Sequence, residues 1–178
     1  REFASAAARW THLPDLTVRP EIVSICSASL KPDTVAWFHE TVPTIEQETR
    51  DYRDVLANSN VDAVYIAVPH NLHRETYVAA LESGKHLFGE KPFGIDRDAN
   101  DAINRAIAAH PDVFVRCVSQ FAFLPGVQAI AAMLEEDEFG EIIDVELGFQ
   151  HSSDLNPDKK INWKRKLETN GAYGVMGD

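Results

Sequence analysis

Cysteine is scarce in this chain, two in 178 residues, and methionine equally so. Two cysteines exclude a disulfide-built scaffold and leave no thiolate cluster for a structural zinc site. Basic residues are in deficit: 17 Lys and Arg face 28 Asp and Glu, for a formal net charge of -11. Phosphate backbones and anionic membranes attract basic surfaces, so neither nucleic acid nor membrane is an expected partner. A local pocket for a small anion is compatible with this charge. No apolar run approaches the roughly 20 residues of a membrane span. Internal repeats and low-complexity stretches are lacking. The chain opens on Arg1-Glu2-Phe3 with no leader pattern.

What is present is an ordinary globular balance, 44% hydrophobic and 25% charged, in a length that suits one domain or parts of two. Cys26 and Cys117 each sit inside an apolar run. That predicts two buried, reduced thiols on neighbouring strands and a reducing compartment, the cytoplasm.

Residues 2–10 are Ala-rich and predict a helix. Residues 21–26 (EIVSIC) are a short apolar, β-branched run, hence a strand. A helix over 33–41 follows Pro32, which suits a first helical turn. Asp51 starts a short helix over 52–58. Residues 62–68 (DAVYIAV) are a second strand, ended by Pro69. A helix over 72–83 comes next, with Asn71 as its N-cap and Gly84 just past its end. Residues 85–89 are a third strand. Asp96 caps a helix reaching about Ala109, and 113–119 is a fourth strand. Within that helix Ile103, Ala106 and Ile107 read as core packing.

Strand and helix thus alternate four times. Several strands are apolar without strict alternation, as when both faces are buried. This predicts an α/β fold with a doubly wound parallel sheet. Ligands of such sheets bind at the carboxyl ends of the strands. Pro69-His70-Asn71 and Glu90-Lys91-Pro92 both follow strands directly and are expected to meet at one rim.

After Ser119 the rhythm changes. A helix over 126–137 is stopped by Gly140. In Glu141–Gln150, the residues Ile143, Val145, Leu147 and Phe149 alternate with polar or small ones, which predicts a half-buried strand of a different sheet. Residues 151–170 are polar and loop-like around Trp163. A domain boundary is placed near 120, giving units of 1–120 and 121–178.

The stretch Gly89-Glu90-Lys91-Pro92-Phe93-Gly94 puts an acid, a base and a proline where a buried strand ends. On its own it is either a plain turn or a prepared reactive site. The spacing His70-x-x-His73 suits a metal, but no Cys, Asp or Glu pattern joins it, so no metal is expected.

Three segments together resemble the glucose–fructose oxidoreductase / inositol dehydrogenase (Gfo/Idh/MocA) family. They are DAVYIAVPHNLH (62–73), AALESGKH (79–86) and Glu90-Lys91-Pro92. The likeness continues through Gly140-Glu141-Ile142 and NGAYGVMGD (170–178). It implies a Rossmann-type dinucleotide-binding domain, then the start of an α+β domain whose open, mainly antiparallel sheet covers the active site and mediates homo-oligomers. The implied activity is hydride transfer between a nicotinamide and a sugar-like hydroxyl or carbonyl substrate. The family's first strand and Gly-rich phosphate loop precede the first helix, and its catalytic histidine lies four residues past the position of Asp178. Read with the family, the chain is expected to be an internal fragment, or the ordered part, of a longer enzyme.

The resemblance also implies roles. Lys91 contacts substrate and the nicotinamide ribose, Glu90 orients the lysine or the ribose, and Pro92 fixes the turn. Ala67, Val68, Pro69, His70 and Asn71 form the loop under the cofactor, with His73 facing the site. Gln120 lines the pocket, and Trp163 and Arg165 approach the cofactor. Asp178 binds a substrate hydroxyl and orients the missing histidine. Ser27, Ser29 and Lys31 follow the strand whose end normally offers an acid to the NAD 2′-hydroxyl. Hydroxyls and a cation suit a 2′-phosphate instead, which predicts NADP over NAD. A non-catalytic cofactor sensor of the same fold, or an NAD-using glycosidase, is the alternative function.

Overall fold

The computed structural model describes residues 2–10, 12, 14–15, 17–148, 150, 152 and 155–172. Helix α1 (Glu2–Trp10) leads to strand β1 (Ser24–Cys26), helix α2 (Pro32–Thr41), strand β2 (Gln47–Thr49) and helix α3 (Tyr52–Ala57). Strand β3 (Ala63–Ile66), helix α4 (His73–Glu82), strand β4 (His86–Glu90), helix α5 (Arg97–Ala109) and strand β5 (Val115–Val118) follow. The chain continues through α6 (Pro125–Glu135) and α7 (Leu167–Asn170).

All strand pairs are parallel. β1 pairs with β2, and β4 lies between β3 and β5. A doubly wound parallel sheet lacking its first strand was expected; among the described residues the strands form two separate sheets. The doubly wound order 3-2-1-4-5-6 puts its first strand between these two groups. The observed sheets match the 3-2 and 4-5-6 flanks of that order.

The core lies between the three-stranded sheet and helices α4 and α5. Tyr77, Ala80 and Leu81 make one stripe of α4, at i, i+3 and i+4. They meet Leu87 of β4 and Ile103 of α5, and all five are fully buried. Burying a leucine or isoleucine contributes roughly 1.5–3 kcal/mol, so this layer dominates the stability of the unit. Ala106 and Ile107 pack against it. Val23 does so too, which ties the chain leading into β1 to the same core.

Local chemistry sets the helix starts. Asp51 accepts a hydrogen bond from the Arg53 amide at 3.0 Å, and Asp96 accepts one from the Ala99 amide at 2.8 Å. Pro32 occupies the first turn of α2.

Several expectations need correction. Asn71 does not cap α4; the chain enters through a 3₁₀ turn (His70–Leu72), and Leu72 stands at the cap without a side-chain bond. Strand β2 escapes the sequence pattern because Gln47-Glu48-Thr49 has no apolar residue. Its pairing with β1 is reinforced by the Ser24 hydroxyl, which donates to Gln47 Oε1 at 2.8 Å. Cys26 and Cys117 are free but exposed, and they belong to separate sheets. Ile25 points inward on β1, so alternation turns Cys26 outward. Residues 141–148 form no strand, and Ile143, Val145 and Leu147 are exposed. The alternation is real, but no second strand lies beside it among the described residues. Phe149 lies outside them. The stretch 151–170 is not all loop: a 3₁₀ turn (Trp163–Arg165) and α7 close it.

Gly89 stands where β4 meets α4. A Cβ there would lie 2.8 Å from two ring carbons of the buried Tyr77 and 3.0 Å from the Phe93 ring. Gly89→Ala should therefore destabilise the fold by about 1–3 kcal/mol through overpacking. An unchanged denaturant midpoint would contradict the close approach of Tyr77 to β4.

Candidate active site

The loops that leave β3 and β4 are joined at one rim. Register explains why: β3 and β4 pair in parallel from Ala63 and His86 to Ile66 and Gly89, so their carboxyl ends are level. His73 then bridges the two exits. Its Nδ1 lies 2.7 Å from Pro92 O, and its Nε2 lies 3.1 Å from Val68 O. Both carbonyls are acceptors, so each contact needs an N–H on the facing nitrogen, and a ring with a single N–H bonds only one of them at a time. The ring is fully buried. His73 was expected to face a cofactor; here its two ring nitrogens face backbone carbonyls.

Glu90 is held from the neighbouring strand. Tyr65 is the register partner of Phe88, and Phe88 and Glu90 share a face of β4. The Tyr65 hydroxyl therefore reaches one step along and donates to Glu90 Oε1 at 2.6 Å. Phe3 of α1 stacks on the Tyr65 ring at 4.4 Å. On the opposite face, Tyr77 donates to Glu90 O at 2.6 Å. Lys91 and Pro92 follow, half-buried, across a cis peptide bond.

His70 is buried as well. Its Nδ1 is hydrogen-bonded to Asn170 Oδ1, and Trp163 meets its ring edge-on at 4.8 Å. Asn170 is itself buried. Gly171, just beyond, has φ +75°, and a Cβ there would fall 2.2 Å from Ile95 O. The segment 163–171 is thus pressed onto the rim formed by residues 70 and 95. A cavity of about 330 Å³ opens beside it, lined by Pro92 to Arg97, Asn100 and Asn170. Ala67, Pro69, Asn71, Gln120 and Arg165 are exposed, and Val68 is half-buried. Asp178 lies outside the described residues.

A second cavity, about 500 Å³, opens beyond the carboxyl ends of β1 and β2. Leu30, Pro32, Val35, Glu48, Thr49 and Arg50 line it. Ser27 Oγ accepts the Ser29 amide at 3.3 Å and so shapes the turn. Lys31 is exposed at the start of α2. The Arg50 guanidinium donates to Leu30 O at 3.3 Å, which brings a cation from the end of β2 to the turn after β1.

A family model described as "Oxidoreductase family, NAD-binding Rossmann fold" matches residues 3–116. The chain belongs to the Gfo/Idh/MocA oxidoreductase family. Levoglucosan dehydrogenase of Pseudarthrobacter phenanthrenivorans is 26% identical over 133 residues, 75% of this chain and 34% of that protein. The dTDP-3,4-didehydro-2,6-dideoxy-alpha-D-glucose 3-reductase of Actinomadura kijaniata is 33% identical over 132 residues, 73% of this chain and 38% of that one. A solved levoglucosan dehydrogenase, in complex with NADH and L-sorbose, superposes with a TM-score of 0.77 at 24% identity, covering 98% of this chain and 45% of that chain. The chain therefore spans about a third of the length of these curated relatives.

Within this Gfo/Idh/MocA chain, sequence reasoning missed Arg50, Tyr65 and Tyr77. Arg50 was hidden with β2. The signal for Tyr65 was available, since two parallel strands in register put its hydroxyl near the residue two past its partner. Glu90 and Lys91 also act on Cys117, the register partner of Gly89. Desolvation first, then Glu90, raises the Cys117 thiol, while Lys91 opposes.

Desolvation, and then the hydrogen bond to Glu90, holds the Tyr65 phenol far above its ordinary value of 10.0. Desolvation dominates the rise at Tyr77, with Cys117, Glu90 and Tyr65 adding. A raised folded value means the native state keeps protons that the unfolded chain releases above its own value. This contribution is complete below pH about 10 and is lost as pH rises through the raised values. In an alkaline titration followed by near-ultraviolet absorbance, Tyr65 and Tyr77 should ionise only on unfolding, and Tyr65→Phe should remove one late phenol. Early ionisation of every tyrosine would refute the buried contacts.

Proposed function

We propose that the protein carrying this chain transfers a hydride between a nicotinamide cofactor and a hydroxyl or carbonyl carbon of a sugar, polyol or related substrate. The observation that carries the proposal is the joined rim. Two strand exits meet on the buried His73 ring, with Glu90 held by Tyr65 and Lys91 at the junction. A solvated turn needs no such support. Family membership and the sugar-acting relatives support the same reading.

The residues present fit a dinucleotide. Leu30, Pro32 and Val35 offer an apolar wall at one strand end, and Arg50 adds a cation there. Ser27, Ser29, Lys31 and Arg50 together favour a 2′-phosphate, so NADP is the proposed cofactor over NAD. Ala67 to Asn71 would pass beneath the nicotinamide half, with Glu90, Lys91 and Pro92 beside it. Gln120, Trp163 and Arg165 would complete the wall.

When bound, the nicotinamide accepts or supplies the hydride. The chain's own residues handle charge and position. Carbonyl reduction places negative charge on the substrate oxygen, and the Lys91 ammonium is suited to stabilise it. Glu90, fixed by Tyr65, would hold the lysine or the ribose in line. Asp178 would bind a substrate hydroxyl. The intact Glu90-Lys91-Pro92 supports an enzyme over a cofactor sensor. Free thiols at Cys26 and Cys117 support a cytoplasmic setting. The exposed Ile143, Val145 and Leu147 support a homo-oligomer built through this segment.

In the full-length protein, Lys91→Ala should lower turnover by at least about tenfold. Near-normal turnover would remove the lysine from the mechanism. A fluorescence titration should show tighter binding of NADPH than of NADH. The reverse order rejects the 2′-phosphate argument, and binding of neither rejects the oxidoreductase.

A further inference from the structure

Two carbonyls flank Lys91 in the chain, and helix α4 grips both. Tyr77 donates to Glu90 O at 2.6 Å, and His73 Nδ1 stands 2.7 Å from Pro92 O. His73 and Tyr77 are four residues apart, so they project from one face of the helix. Their rings stack at 4.7 Å with 17° between planes. Both are fully buried, and each therefore has one available orientation. Gly89 supplies the room that lets the Tyr77 ring lie against β4. The clamp extends further: Asn100 of α5 donates to Phe93 O at 2.8 Å, and His73 Nε2 reaches Val68 O in the loop after β3.

A backbone carbonyl at a strand end is satisfied by water at little cost. Two buried aromatic side chains spent on the carbonyls before and after a single lysine do something else. They fix the backbone from which the Lys91 side chain departs. The same buried ring lies 3.1 Å from Val68 O, so the loop after β3 packs against the residue that contacts Pro92 O.

We propose that Tyr77 and His73 are positioning residues for Lys91, setting its ammonium against the loop after β3 without touching substrate or cofactor. The proposal rests on the reading that Lys91 acts on the substrate. A misplacement of about 1 Å in a reacting group costs up to about a hundredfold in rate, so the clamp has a measurable consequence.

The test uses the full-length protein with Lys91→Ala, Tyr77→Phe and the double variant. Tyr77→Phe keeps the ring stack and deletes one donor. Tyr77→Phe should lower kcat by about tenfold, with the NADPH or NADH Kd within about twofold of wild type. In the Lys91→Ala background it should lower kcat no further, because its effect passes through the lysine. Amide exchange over residues 90–94 should quicken in Tyr77→Phe. Multiplying effects in the double variant, or unchanged kcat in Tyr77→Phe, overturn the positioning role and leave the lysine reading standing. Normal turnover in Lys91→Ala removes both. Should Tyr77→Phe fail to fold, exchange in the wild-type protein decides: the Gly94 amide, which donates to the clamped Pro92 O at 2.9 Å, should be protected as strongly as those of β4, and loop-like exchange there overturns the clamp.

Discussion

The packing of α4 against β4 is the contact on which the rest of this structure depends. Tyr77, Ala80 and Leu81 are sealed against Leu87, and Ile103 closes the layer from α5. Removing any large member leaves a cavity that a close-packed interior does not refill. The contact also sets geometry. With α4 fixed along β4, its first turn must sit at the carboxyl end of the sheet, where His73 meets the exits of both strands. The rim is thus the end of the core rather than a separate construction.

That origin explains the run of rings from surface to interior. Trp163 meets His70 at 4.8 Å, His70 meets His73 at 5.1 Å, His73 stacks on Tyr77, and Tyr77 leans on Phe93 at 5.1 Å. Offset and edge-on ring pairs are favourable beyond their buried area. The run also carries polar atoms into the interior, where an unmet one costs about 1–3 kcal/mol. None is unmet: among the described residues, every buried side-chain nitrogen and oxygen has a partner. The arrangement is held in place for that reason, since His70, His73 and Tyr77 are each fixed by packing and by a directed bond.

Much of this was legible in the sequence, for reasons that differ by element. Residues 62–109 follow simple rules: apolar strands, an amphipathic helix, Asp96 as a cap and glycine past a helix end. The strand β2 was not legible, because three polar residues pair through their backbones, and Arg50 went unnoticed with it. Asn71 misled because its residue type favours caps, while the 3₁₀ turn moved the cap to Leu72. Alternation at 143–147 reports a pattern of side chains and says nothing of whether a neighbouring strand is at hand. Sequence position puts both histidines at a strand exit but does not show which way their rings turn. A histidine beside a strand end reads as a ligand-facing group, and only three-dimensional packing turns His70 toward Asn170 and His73 toward two carbonyls.

The parallel register of β3, β4 and β5 has a kinetic consequence. Each strand reaches its neighbour through a single intervening helix, and each helix covers the pair it connects. The strand pairing of this unit is therefore closed by two successive local crossovers, with Val23 and the segment around Asn170 added from further away along the chain. Such a unit nucleates where loop closure is cheapest and its contacts support one another. By this reasoning α4 and β4, shared by both crossovers, come together early, and the carboxyl rim of the sheet takes shape with the first part of the molecule to fold.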